Sequence, residues 1–287
     1  MSNNLKTVAL LGFLGALFVV AGAYFGRGGM LLGLGLAVAL NVGAYFFSDK
    51  LALRAARAKP VDEHQLPEVY SIVRSLAQRQ GLPMPRIYLI ESPQPNAFAT
   101  GRDPEHAAVA VTSGILQLME RPELEAVLAH ELAHVRNRDI LISSVAATLA
   151  AALVFLSRMA LWGGLGGDRR RGSDPLTAII GLASLVLAPL AAMVIRMAIS
   201  RSREFQADAS GAAVTGSPLQ LAGALGKLDG YTSRIPMKVD PAVSQLFIAD
   251  PLKALRGGQG FSKVFSTHPP MEERVARLRE MAAEGRR

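Results

Sequence analysis

Two stretches of this sequence, residues 7–25 (TVALLGFLGALFVVAGAYF) and 30–47 (MLLGLGLAVALNVGAYFF), contain no Asp, Glu, Lys or Arg. Each is about long enough to cross the hydrocarbon core of a bilayer as a helix. Apolar surface of that extent must be buried in lipid or in a large core, so no other feature limits the fold as strongly. Tyr24, Tyr45, Phe46 and Phe47 lie at the run ends, where interfacial aromatics belong. Gly22 and Gly26 fit a small-xxx-small spacing. The Arg27-Gly28-Gly29 break between the runs predicts a hairpin. A cleaved signal peptide is the alternative for the first run, but only Lys6 precedes it and a second run follows at once. Two retained membrane helices over residues 1–49 are the expectation.

The 287 residues allow one or two domains, and half of them are hydrophobic against 19% charged. The absence of cysteine excludes disulfides and thiolate metal sites. A net charge of +8 raises the question of nucleic acid. The basic residues, however, flank apolar runs: Lys50, Arg54, Arg57 and Lys59, then Arg136 and Arg138, then Arg201 and Arg203. That placement fits a lipid bilayer as partner and not a nucleic acid. Further apolar runs occupy roughly 140–162 and 176–199, interrupted by Arg158, Pro189 and Arg196. A second spanning pair is the favoured reading, buried or interfacial helices the alternative. The chain thus divides into a hairpin (1–49), a polar part in two pieces (50–139 and 200–287) and an apolar pair (140–199) inserted between them.

Within the polar part, Val69, Val73 and Leu76 predict a helix over 67–80, stopped by Gly81 and Pro83. Residues 86–91, 96–100 and 107–112 read as strands of a small antiparallel sheet, with 96–100 a candidate edge. Helices are expected around 122–136, 202–211 and 217–229. The Pro-, Gly- and Ser-rich 231–262 reads as loop. From Pro270 the alternating charges of Glu272, Glu273, Arg274, Arg277, Arg279 and Glu280 suggest a surface helix.

The chemistry sits in His130-Glu131-Leu132-Ala133-His134, on a helix that Pro122 starts and Leu124, Val127, Leu128 and Leu132 make amphipathic. At i and i+4, both imidazoles leave one face and can hold one metal ion. Glu131 lies where a carboxylate reaches a water held by that metal. Zinc in a catalytic site takes three protein ligands, so a third must come from elsewhere. Glu204 is the candidate, with Asp208 one turn along the same face. Asp208 could orient one histidine, and Asp139 is a second possibility for that role. An ordinary helix start with solvated acids beside Arg201 and Arg203 is the competing reading of this pair. His64 and His106 lie in turn-like surroundings and read as surface residues.

These positions together carry a family resemblance. His130-Glu131-x-x-His134-x-x-Asn137-x-Asp139, then Ser202-Arg203-Glu204-Phe205-Gln206-Ala207-Asp208 and Gly211, resembles the HtpX family of membrane zinc endopeptidases, relatives of the CAAX prenyl proteases. Asn96-Ala97-Phe98 looks like that family's strand motif, and Phe265-Ser266-Thr267-His268-Pro269-Pro270 with Glu273 and Arg274 like its C-terminal signature. The resemblance implies a mainly α membrane protein: four apolar helices plus a gluzincin-like peptidase domain with a small antiparallel sheet. It implies one zinc per chain held by His130, His134 and Glu204, Glu131 as the base, and Asp208 behind the ligands. His268 is the expected donor to the oxyanion, a helix cap being its alternative role. Asn96, Ala97 and Phe98 are the expected substrate-binding strand. The expected substrates are unfolded or membrane proteins, cut in quality control at the bacterial inner membrane. A processing protease for one prenylated or membrane substrate is the rival enzyme reading, and a non-catalytic membrane scaffold the rival outside enzymes; intact Glu131 argues against the latter.

Four basic residues between Lys50 and Lys59, against Arg27 alone in the first turn, place the peptidase part in the cytoplasm. Arg169-Arg170-Arg171 runs against this tendency. As the chain lacks cysteine, Asp62→Cys and Gly285→Cys each introduce a single thiol. Neither should react with an impermeant maleimide added to intact cells; labelling at either position overturns the orientation.

Overall fold

Apolar length makes the first two elements. In the computed structural model, which describes residues 3–23, 26–150, 201–241, 243–256 and 269–285, the two runs form α1 (Asn3–Ala23) and α2 (Gly26–Ala55). Gly26, the first residue of α2, takes the left-handed conformation at φ 80°. Arg27, Gly28 and Gly29 therefore lie inside α2 and not in the turn, a correction to the sequence reading. The glycines work instead by close approach: a Cβ on Gly22 would sit 2.2 Å from the Gly29 carbonyl oxygen, and one on Gly33 2.3 Å from that of Phe18. Among the described residues α2 is the one helix long and apolar enough to cross a membrane; the apolar stretch of α1, Thr7–Val20, is shorter. Leu31, Leu32 and Val38 of α2 are exposed, as lipid-facing side chains would be. Of the expected second apolar pair, only Asp139–Ala150 (α6 below) falls among the described residues, so the division at 140–199 and the count of four apolar helices lie outside them.

The polar part is built round a four-stranded sheet of β1 (Lys59–Pro60), β2 (Arg86–Ile90), β3 (Ala97–Thr100) and β4 (Ala108–Thr112), in the order β1-β2-β4-β3. It is mixed, not antiparallel as expected: β2 and β4 run parallel, while β3 pairs antiparallel with β4. The cause is the return of β4 from the β3–β4 hairpin, which puts it between β2 and β3. Strand β3 is left at the edge, as 96–100 was read. Residue alternation on β4 serves two cores, because successive side chains point to opposite faces. Val109 and Val111 face a helical core with Ile72, Leu76, Val127 and Leu128. Ala108 and Ala110 face the end of α2 (Ala52, Leu53) and Phe247.

Helix α3 (Pro67–Gln80) ends at Gly81 in the left-handed region, as predicted. After β4 come α4 (Ser113–Leu118), capped by the Thr112 hydroxyl at 3.1 Å from the Ile115 N–H, and α5 (Arg121–Arg136). Pro122 lies in the first turn of α5, and the Glu123 carboxylate accepts from the Glu120 N–H at 3.1 Å. Helix α5 is buried along nearly its whole length, which explains why its sequence lacks a strong polar face. Helix α6 (Asp139–Ala150) packs Leu141, Val145 and Leu149 on Leu10, Leu14 and Ala44 of the hairpin. Helices α7 (Arg201–Thr215), α8 (Pro218–Thr232) and α9 (Met271–Glu284) complete the described elements. Residues 243–249, expected in a loop, are buried under β3 and the end of α2. Phe247 meets Phe98 edge-on at 4.8 Å, and Ile248 N–H donates to the Ala97 carbonyl at 3.0 Å.

Helix α7 approaches α5 at Gly211. A Cβ there would stand 2.9 Å from the His130 nitrogen and 3.1 Å from its Cα, both backbone atoms that cannot yield without moving α5. Gly211→Val should destabilise the fold by about 1–3 kcal/mol and weaken metal binding together with it. Thermal unfolding and metal titration of the purified variant check this; a variant with unchanged melting and affinity contradicts the packing argument.

Candidate metal centre

Burial of α5 carries its histidine face into the protein, and α7 meets it there. His130 Nε2 and His134 Nε2 converge to 3.2 Å, the rings edge to face. Glu204 stands two turns before the Gly211 contact, so its carboxylate reaches the same point: 3.6 Å from His134 Nε2 and 3.9 Å from His130 Nε2. One donor atom from each of the three residues lies within 4.8 Å of the others.

Each ring is held from behind. Asp208 accepts from His130 Nδ1 at 2.9 Å and Asp139 from His134 Nδ1 at 3.1 Å. These bonds fix the tautomer that aims both Nε2 atoms inward. The two aspartates named from the sequence therefore take one histidine each.

Behind Asp208 stands a residue that sequence reasoning misplaced. Arg274 is fully buried, not part of a surface helix, and grips Asp208 through Nε at 2.8 Å and one terminal nitrogen at 2.7 Å. Its other terminal nitrogen lies 3.3 Å from the Ile248 carbonyl and 3.6 Å from Glu204. The signal was present: Met271, Arg274, Val275 and Leu278 share one helix face, and an arginine on an apolar stripe must find a buried anion. Arg203, read as a membrane-flanking charge, is also buried and stands 4.0 Å from Asp139.

The charges fit a divalent cation. Four carboxyl groups (Glu131, Asp139, Glu204, Asp208) face two guanidinium groups (Arg203, Arg274), an excess of two negative charges when all four are ionised and the histidines are neutral. Two imidazole nitrogens and one carboxylate oxygen are a donor set zinc accepts, with a fourth place left for water or substrate. The titration behaviour follows from the same arrangement. Burial pushes the Glu131 carboxyl up to about 8, helped by the charge of Glu204. Burial also brings His130 down to about 4 despite Asp208. For His134 burial opposes the charged form, but the Asp139 bond and the nearby Glu204 and Glu131 outweigh it and raise it to about 9. Asp208 is desolvated as well, yet Arg274 holds it well below the ordinary carboxylate range.

Glu131 points toward the histidine pair from one residue along α5, and Ala99 N–H on β3 donates to its Oε2 at 2.8 Å. A small cavity of about 40 Å³ opens beside it, lined by Ala99, Ser143, Gln245 and Leu246 with the ligand residues. The expected substrate strand meets this cavity only at Ala99. Asn96 and Phe98 are fully buried. The Asn96 amide donates to the Ala249 carbonyl at 2.8 Å and accepts from the Ala97 and Ala249 N–H groups at 3.1 and 3.3 Å. Its bonds hold residues 246–249 against the first half of the edge. His268 lies outside the described residues, while His64 and His106 are exposed, as read.

Residues 63–282 match the sequence model of peptidase family M48. A protein described as Protease HtpX homolog from Desulfatibacillum aliphaticivorans is 50% identical over 281 residues, covering 97% of this chain and 89% of that one. One of the same description from Ralstonia pickettii is 50% identical over 289 residues, covering 99% of both. The crystal structure of S. mikatae Ste24p shares the fold with a TM-score of 0.53 at 20% identity, over 96% of this chain and 65% of that chain. The resemblance read from the motifs is thereby borne out.

Removing Arg274 strands a buried aspartate charge. Arg274→Leu should cost about 3–5 kcal/mol, and Asp208→Asn should weaken zinc binding by about 10–100-fold. Chelator competition and thermal unfolding check both; zinc affinity unchanged in both variants would show that this support is dispensable.

Proposed function

Since this chain belongs to peptidase family M48, we propose that it is a membrane-bound zinc endopeptidase that cuts unfolded or damaged membrane proteins in quality control. The observation that carries the reading is the convergence of His130, His134 and Glu204 on one point beside the Glu131 carboxylate. Zinc held by those three residues would supply Lewis acidity, lowering the pKa of a water and polarising a scissile carbonyl.

The chain's own groups do the rest. Glu131, kept in place by the Ala99 N–H, accepts the proton of the attacking water and returns it to the leaving amine. A carboxylate buried among other carboxylates is a stronger base than one in water, which suits that exchange. Asp208 and Asp139 keep the imidazoles aligned throughout. His268 is the proposed N–H donor to the developing oxyanion. An extended backbone entering at Ala99 on the sheet edge would lie next to this machinery; with the Ala99 N–H given to Glu131, pairing there would use the Ala99 carbonyl, and main-chain pairing reads conformation more than sequence. The length and apolarity of α2 support a membrane location with substrates drawn from the bilayer or its surface.

Metal analysis paired with a cleavage assay tests the proposal. Glu131→Gln should keep one zinc per chain and lose nearly all turnover, whereas Glu204→Ala should lose zinc and turnover together. Casein should be cut by wild type at many internal sites. Full activity in Glu131→Gln contradicts the mechanism, and cleavage confined to one sequence favours a dedicated processing protease.

A further inference from the structure

Where α2 leaves its apolar stretch, Phe47, Lys50, Leu51 and Arg54 recur at i, i+3, i+4 and i+7 and so share one helix face. The helix then stops in a Schellman turn: Ala58 N–H donates to the Leu53 carbonyl at 2.9 Å and Arg57 N–H to that of Arg54 at 3.0 Å. The residue this turn forces into the left-handed region is Arg57, at φ 56°. Glycine is the ordinary choice there, because a Cβ is crowded in that conformation. The turn throws the chain back, so that Lys59 on β1 and Tyr88 on the paired strand β2 close the opposite side. The result is a cavity of about 610 Å³ lined by Phe47, Lys50, Arg54, Arg57, Lys59 and Tyr88, with leucines of α2.

Four of those six side chains are exposed cations, and no ion pair joins any of the four to a carboxylate among the described residues. The acid on the same turn, Asp49, is buried and committed to Arg86 at 2.7 Å. The Lys50 ammonium rests over the Phe47 ring, 5.6 Å from its centre. Like charges gathered round one cavity repel one another, and no carboxylate among the described residues pairs with them. Helix-end cations can serve the helix dipole, but Arg57 and Lys59 lie beyond the helix and a left-handed arginine is a costly way to add charge.

We propose that this cavity binds the headgroup of an anionic phospholipid, the guanidinium groups of Arg54 and Arg57 and the ammonium groups of Lys50 and Lys59 surrounding its phosphate. The site rests on the reading of α2 as a membrane span, which sets the cavity at the depth of the headgroups. The apolar face of α2 continues from it along the acyl chains, and the Phe47 and Tyr88 rings suit the boundary between the two. A free phosphate would satisfy the cations but leave the apolar wall without a partner.

Native mass spectrometry of the full chain released from detergent micelles reads the binding directly. The Glu131→Gln form prevents self-cleavage, and peptidase activity plays no part in the readout, so failure of the proposed catalytic mechanism leaves this test intact. Wild-type binding surfaces should retain one phosphatidylglycerol per chain with roughly tenfold or greater preference over phosphatidylcholine. Arg54→Gln combined with Arg57→Gly should abolish that preference. Arg57→Gly alone should keep or raise the melting temperature, because glycine suits the turn, which separates lost binding from lost folding. Arg121→Gln combined with Arg279→Gln removes the same charge from exposed positions on α5 and α9 that do not line the cavity, and should change nothing. Equal retention of the two lipids, an equal loss in that second pair, or displacement of the lipid by inorganic phosphate alone would overturn the site. A chain that fails to float with phosphatidylcholine vesicles would remove the membrane premise, and the proposal with it.

Discussion

The pairing of Arg274 with Asp208 is the contact on which the candidate metal centre depends. A guanidinium with no exposure is held by two bonds to a carboxylate that is itself buried, and that carboxylate orients His130. Taking such charges out of water is costly, and partners of good geometry offset the cost. Here the offset comes from a chain of contacts that runs from α9 through Asp208 on α7 to His130 on α5. The same guanidinium reaches the Ile248 carbonyl and approaches Glu204, so one side chain touches the support, the third candidate ligand and the segment covering the cavity. With the four carboxylates ionised and both histidines neutral, the state that metal ligation requires, an excess of two negative charges is left for a dication.

This arrangement explains how residues far apart in sequence act as one site. Helix α5 ends at Arg136, and α6 leaves from Asp139 toward the apolar hairpin. Helix α7, which begins at Arg201, packs against α5. Gly211 allows the close approach of the two helices, and the seven residues separating it from Glu204 are two turns, which brings the carboxylate to the histidines. Asp139 joins the two halves from the start of α6: its contact with His134 makes the first residue of an apolar helix part of the metal support. The peptidase part and the hairpin are thus mechanically connected, through α6 on one side and through β1 and the end of α2 on the other.

What could be read from the sequence was whatever local spacing determines. The histidine pair, its glutamate, the carboxylates at 204 and 208 and the helix over 67–80 all follow from periodicity of 3.6 and from capping chemistry. What could not be read depends on which distant segments meet. The parallel pairing of β2 with β4 is a property of how the hairpin returns, and no strand records it in its own residues. Residues 243–249 lack any period, so their burial under Phe98 and their bonds to Asn96 were hidden, and Asn96 was assigned to substrate when its amide is engaged with Ala249. Arg274 was hidden differently. Alternating charges on α9 suggested a solvated helix, but the apolar residues at i−3, i+1 and i+4 from Arg274 place it on the buried stripe. A charge at the centre of an apolar face, and not the overall polarity of the segment, was the informative signal.

In the proposed mechanism His130, His134 and Glu204 would hold one zinc ion, with Glu131 beside it and not ligating. X-ray absorption at the zinc edge of the purified full chain tests this most directly. Two imidazole nitrogens at about 2.0–2.1 Å with the remaining ligands oxygen are expected, in a spectrum that Glu131→Gln leaves unchanged and Glu204→Ala abolishes or alters. Three imidazole ligands in the wild type, with a spectrum indifferent to Glu204→Ala, would contradict it.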